Sequence, residues 1–272
     1  MTIDRDYAEK LEMLARLRPI DDVFMYQMFV GNAPLTELLL RCVIGIETLT
    51  VRNVDVQFSV DLRSVGARSL RLDVLAQDAD GGLYNIEVQR DDKGAIPQRA
   101  RYHVGALDVG NTKPDSDFKK MPQVFVIFLT EHDYWKEGEA VYLFDRVNVK
   151  TGKPLGDGTH IIYLNGQCRT DDLLGDLMHD FLCENPADMR VPLMSQRANY
   201  LKNTEGGVKH MCRIMEEYAK KYATKYAKDY AMDIAIGNAL TMLKDGMLPH
   251  DKIAEYTRLP CEKIADLAKT LS

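Results

Sequence analysis

Nowhere does the chain approach the ~20 consecutive apolar residues that a membrane-spanning helix needs, so no membrane partner is expected. The N-terminal stretch MTIDRDYAEKLEMLARL is charged and helical in pattern, and it has no apolar run of the kind that builds a signal peptide. Cysteine is scarce: Cys42, Cys168, Cys183, Cys212 and Cys261 are scattered, odd in number and not spaced as metal ligands. That usage excludes a disulfide framework and suits a reducing, cytoplasmic setting. The 6 histidines are isolated, which argues against zinc. A phosphate-binding loop is missing too, since TGKPLGDG (151–158) lacks the terminal Gly-Lys-Ser/Thr and lies between strands. No excess of basic charge is present either. The net charge is −6, so any nucleic-acid contact must come from a local patch. No organic cofactor is indicated.

What remains is an ordinary globular composition, 46% hydrophobic and 28% charged over 272 residues, enough for a real core. Residues 22–46 carry a helical apolar pattern that Pro34 divides in two. A Val-rich alternating strand is expected at 49–60, two strands at 70–78 and 83–90, and a helix at 98–110 between Pro97 and Gly110. PQVFVIFLT (122–130) is continuously apolar and reads as a strand buried on both faces. Further strands are expected at 140–149 and 160–165. This order predicts an α/β fold in which a helix, three strands, a helix and a strand form a core with added strands.

After residue 170 the pattern turns helical, giving an expected division into a core at 1–170, a helical elaboration at 171–217 and a terminal part at 218–272. In DDLLGDLMHD, Asp172, Asp176, His179 and Asp180 read as a solvated helix face rather than a metal site. Tyr218, Tyr222, Tyr226 and Tyr230 recur every four residues in one long helix. Residues 196–230 hold eight Lys/Arg against four Asp/Glu. That stripe reads first as a packing face toward the body or a second copy, and less well as a nucleic-acid surface. The last residues form two short helices around TRLP, read as a structural or dimerising hairpin with Arg258 at a turn position where glycine is common.

The stretch RLDVLAQDADGGLYNIEVQ (71–89) carries the chemistry. Side chains alternate along strands, so Tyr84, Ile86 and Val88 share the expected core face while Asn85, Glu87 and Gln89 share the other. A short turn in DADGG sets Asp73 opposite Glu87, with Cβ atoms about 5 Å apart. Two like charges so placed repel, and a divalent cation relieves them. Mg²⁺ takes oxygen ligands, needs one or two carboxylates and keeps waters. The Val88 carbonyl can add a ligand, and the Gln89 amide can orient a water.

An acid in one strand followed by Glu-x-Gln in the next resembles the PD-(D/E)XK nuclease superfamily. With IDDVFMYQMFVGN, RARYHVGALD, MPQVFVIFLTEHD and HDFLCENPADM, the chain over roughly residues 15–217 is similar to the PD-(D/E)XK nuclease family transposases, also called recombination-promoting nucleases. The resemblance implies a restriction-endonuclease-like core and Mg²⁺-dependent cleavage of DNA, with Mn²⁺ as a substitute. It implies Asp73 and Glu87 as metal-binding acids, Gln89 at the position that lysine holds in many superfamily members, and Asp22 as a further acid of the site. It implies Arg99 and Tyr102, with Arg101 beside them, as DNA contacts. Met25 and His103 depart from the family pattern, which usually has lysine and a second tyrosine there. A homodimer suits a double-strand cut. The alternative is a catalytically degenerate nuclease fold that binds DNA or protein.

Overall fold

A computed structural model describes residues 5–60, 70–90 and 94–271. Two compact units emerge, 1–212 and 213–272. The first begins with helices α1 (Arg5–Arg16), α2 (Asp22–Phe29) and α3 (Ala33–Ile44). The break between α2 and α3 has a local cause. Asn32 caps α3, accepting a hydrogen bond from Leu35 N, and Pro34 occupies its first turn, where the missing N–H costs nothing.

Strands β1 (Val51–Val60), β2 (Leu70–Asp78) and β3 (Leu83–Gln89) follow, then α4 (Pro97–Asn111), β4 (Val124–Thr130), β5 (Val141–Phe144) and β6 (Thr159–Asn165). They form one six-stranded mixed sheet in the order β1-β2-β3-β4-β6-β5. The pairs β1–β2, β2–β3 and β5–β6 are antiparallel, while β4 runs parallel to both β3 and β6. Helix α4 makes the crossover that the parallel β3–β4 pair requires. The fold is thus the restriction-endonuclease-like α/β core with added strands and a helical C-terminal part. β4, central in the sheet, is buried along its whole length. β5 is shorter than the expected 140–149, because the chain turns away after Phe144 and returns through a single bridge, Val147 to Pro154.

The β2–β3 turn owes its shape to Asp78, whose Oδ1 accepts hydrogen bonds from Asp80 N and Gly82 N, and to Gly81 at φ 93°, a conformation that glycine adopts freely. One expectation is corrected here. The face of β3 that bears Asn85 and Glu87 is not turned away from the core. Both residues are fully buried, because α4 packs over that face through Ala100, Val104 and Leu107.

Helix α5 (Leu173–Phe181) and α6 (Pro192–Asn203) complete the first unit's packing. Phe181 stacks on Phe29, and its carbonyl accepts from Ile20 N at 3.0 Å. Asp180 is a second correction: it lies on no solvated face but is completely buried. Its carboxylate accepts from Arg190 N at 2.9 Å and Val191 N at 2.8 Å, groups that the turn into α6 leaves without backbone partners.

Helix α7 (Glu205–Asp245) runs on into the second unit, followed by α8 (His250–Thr257) and α9 (Cys261–Lys269). Ala239, Ile253, Ala254, Leu259 and Ile264 form the small core there. Arg258 ends α8 at φ 59°, the left-handed position that glycine usually holds. The side chains of Tyr222, Tyr226 and Tyr230 are exposed, and the rings stack in pairs, Tyr218 on Tyr222 and Tyr226 on Tyr230. No helix among the described residues is long and apolar enough to cross a membrane.

Candidate active site

The hairpin ladder pairs Gln77 with Leu83, Ala76 with Tyr84, Leu75 with Asn85 and Val74 with Ile86. One step further this register brings Asp73 to Glu87. There the backbone ladder gives way to side chains. Asp73 N donates to Glu87 Oε1 at 3.1 Å, and Val88 N donates to Asp73 Oδ2 at 3.1 Å. The two strands part at the point where their carboxylates enter between them.

Each acid has its own surroundings. Asp73 faces α2, where Tyr26 Oη donates to its Oδ1 at 3.1 Å. Asp22, the first residue of α2, is exposed and acts on Asp73 by charge repulsion. Glu87 faces α4, where Arg99 Nη2 donates to its Oε2 at 2.9 Å. Burial raises the pKa of both acids, and the Asp73 charge adds to the rise at Glu87. Arg99 opposes it. Two carboxyls that resist ionising together mark a site built for an added cation or a retained proton.

Two residues not singled out from the sequence as site residues complete the setting, Asn85 and His103, both fully buried. With its Nδ2 turned toward Glu87, Asn85 donates to Glu87 Oε1 at 3.1 Å and to Val74 O at 3.2 Å, and its Oδ1 accepts from His103 Nδ1 at 2.9 Å. Burial and the neighbouring Arg99 push the His103 pKa down to about 4, so the ring is neutral. Its Nε2 accepts from Arg99 Nε at 3.3 Å. Glu87, Arg99, His103 and Asn85 therefore close a ring of hydrogen bonds in which every donor meets an acceptor. The available signal was spacing: Asn85 and Glu87 share a strand face, and Arg99 and His103 stand one helical turn apart.

At the end of β3, Gln89 O accepts from Glu131 N at 3.0 Å, so backbone alternation turns the Val88 carbonyl to the opposite edge, toward Asp73. The Gln89 side chain lies against Gly94. A Cβ at residue 94 would fall 1.6 Å from Gln89 Oε1. We expect Gly94→Ala to displace this amide and to slow any reaction that depends on it by about tenfold, with a melting temperature within a few degrees of wild type. Unchanged kinetics would show that Gln89 has no part in the reaction. A cluster of Arg18, Asp21, Arg90 and Glu131 ties the start of α2 to the ends of β3 and β4, with Arg18 to Glu131 at 2.8 Å and Arg90 to Asp21 at 2.9 Å.

The structure thus gathers Asp73, Glu87 and Val88 at one point, with Asp22 on the α2 side and Arg99 on the α4 side. Tyr102 lies one turn beyond Arg99, part-exposed. Arg101 is not brought to them: it is exposed and lies about 200° round the helix from Arg99. Among the described residues, no three Asp, Glu, His or Cys side chains converge closely enough to hold a metal alone. Hard oxygen donors from two acids and a carbonyl nevertheless suit Mg²⁺, which leaves its other positions to water.

No curated protein and no solved structure matches the chain. The family model for the PD-(D/E)XK nuclease family transposases matches residues 31–167, which include Asp73, Glu87, Gln89, Arg99 and Tyr102 but not Asp22. With the fold, the parted hairpin and half the sequence in agreement, the chain belongs to the PD-(D/E)XK nuclease family transposases.

Proposed function

We propose that this protein is a metal-dependent DNA endonuclease that hydrolyses phosphodiester bonds in transposition or recombination. The observation that carries the reading is the meeting of Asp73 and Glu87 at the point where β2 and β3 part, each held above the ordinary carboxylate range by burial. Asp73, Glu87 and the Val88 carbonyl would hold Mg²⁺, or Mn²⁺ in its place. The bound ion would supply positive charge for the phosphate and a more acidic water. The protein's own groups do the rest. Gln89 holds the attacking water through its amide, Asp22 adds negative charge on the α2 side, and Tyr26 keeps Asp73 oriented. Arg99, His103 and Asn85 fix the Glu87 carboxylate.

Two observations favour a second reading, a binding module without activity. Glu87 is already paired with Arg99 at 2.9 Å, and Gln89 carries no charge to stabilise hydroxide. Supercoiled-plasmid cleavage separates the two. Nicking is expected in Mg²⁺ or Mn²⁺ and none in Ca²⁺ or EDTA. An intact plasmid under every metal, with DNA still bound, would leave the binding module.

A further inference from the structure

A cavity of about 320 Å³, lined among the described residues by Leu70, Ile96, Arg99 and Tyr102, is joined to the acid pair through Arg99, which also holds Glu87. It lies within the size range of small-ligand clefts. Leu70 and Ile96 give it an apolar wall, and Ile96 and Tyr102 are part-exposed at 42% and 37%. Among the described residues that line it, none carries a carboxylate.

The state of Arg99 decides what this cavity suits. Three of its N–H groups are committed in the plane of the guanidinium: Nη2 to Glu87, Nη1 to the Gly94 carbonyl at 3.0 Å and Nε to His103. Its central carbon sits 5.8 Å from the Phe128 ring centroid. A guanidinium with three of its five N–H groups so engaged is a flat, rigid surface. Leu70 and Ile96 would solvate a phosphate poorly. A planar heteroaromatic ring suits all four residues, because bases stack on tyrosine rings and on guanidinium planes alike.

We propose that this cavity receives a nucleobase of the DNA strand, from a nucleotide next to the phosphate held at Asp73 and Glu87. The inference rests on the nuclease reading and deepens it. Since Arg99 touches both Glu87 and the cavity, the base and the acid pair are joined through one side chain. A base in such a cavity has left its stack, which costs least in single-stranded or unpaired DNA. The substrate class is therefore DNA with single-stranded or unpaired character at the cut.

The test is binding of labelled single-stranded oligonucleotides by fluorescence anisotropy in Ca²⁺, with one abasic site moved along the strand. For wild type we expect one position at which base removal weakens binding about tenfold. Tyr102→Ala should weaken binding of the intact strand by a similar factor and make that abasic site cost nothing further. Tyr102→Phe should behave as wild type. Equal loss from Tyr102→Ala on intact and abasic strands would overturn the proposal, as would a wild-type protein indifferent to every abasic site. Displacement of the strand by millimolar free deoxynucleotide would also overturn it, showing a mononucleotide site instead. Plasmid cleavage reports separately. Cleavage without base coupling removes the cavity proposal alone, and base coupling without cleavage removes only the enzyme.

Discussion

Asp73→Asn is expected to abolish metal-dependent cleavage, by about 1,000-fold or ~4 kcal/mol of transition-state stabilisation, and at the same time to stabilise the metal-free protein. The two effects share one cause. Asp73 is half-buried and Glu87 fully buried beside it, and desolvation raises the pKa of both. Asparagine keeps the local hydrogen bonds, since its Oδ1 can accept from Val88 N and its Nδ2 can donate to Tyr26 Oη, which now hold the carboxylate at 3.1 Å each. What it removes is the like charge. The gain should be about 1 kcal/mol, or a few degrees in melting temperature.

The same change fixes a pH dependence. A carboxyl whose folded pKa lies above its unfolded value keeps its proton longer in the folded chain. It contributes stability at pH below the unfolded value and loses it as the pH rises through the folded one. The metal-free wild type should therefore lose stability as the pH climbs out of the ordinary carboxylate range. The advantage of Asp73→Asn should be small at ~pH 4 and largest near ~pH 8. Melting curves of both proteins in EDTA, then in Mg²⁺, read this directly. Mg²⁺ should raise the melting temperature of wild type and leave the variant where it was. A variant that melts lower than wild type at ~pH 8 in EDTA would show that the acids do not repel, and the case for a cation between them would go with it.

How far this site can be seen in the sequence differs from residue to residue. The pairing of Asp73 with Glu87 is legible because DADGG allows a short turn and because a one-residue slip would exchange the faces of both strands. The parting of the strands is not legible, since it depends on each carboxylate taking a backbone N–H of the other strand. The burial of Glu87 escapes the sequence as well. Alternation along β3 separates two faces but does not say which of them α4 will cover. Asn85 and His103 carry no signal alone. They gain meaning only when β3 and α4 set them on either side of Glu87. In the fold, the buried strand β4 is plain from its unbroken apolar run. Helix α6 opens on Pro192, which the structure places in the first turn, where proline favours a helix although it breaks one elsewhere.

Loss of Asp180 should damage the fold. An acid on an amphipathic helix next to His179 reads as solvated, yet its two oxygens serve Arg190 N and Val191 N across the turn into α6. His179 Nδ1 lies 2.9 Å from its Oδ1. Asp180→Ala would strand two backbone donors at a buried position, each costing about 1–3 kcal/mol. We expect a loss of about 3 kcal/mol and a melting temperature lower by roughly 6–12 °C. Asp180→Asn retains one acceptor and should lose about half as much. The consequence reaches the site through packing. α5 and α6 hold α2, through Phe181 on Phe29 and through Arg197 Nε on Gln27 O at 2.8 Å, and α2 carries Asp22 and Tyr26. At a temperature where Asp180→Asn is still folded, its Mg²⁺ affinity should match that of wild type, because no ligand has been removed. Weaker Mg²⁺ binding by the folded variant would mean that the brace sets the position of α2 as well as its stability. An unchanged melting temperature for Asp180→Ala would mean that the turn into α6 finds other partners and that the buried carboxylate is no brace.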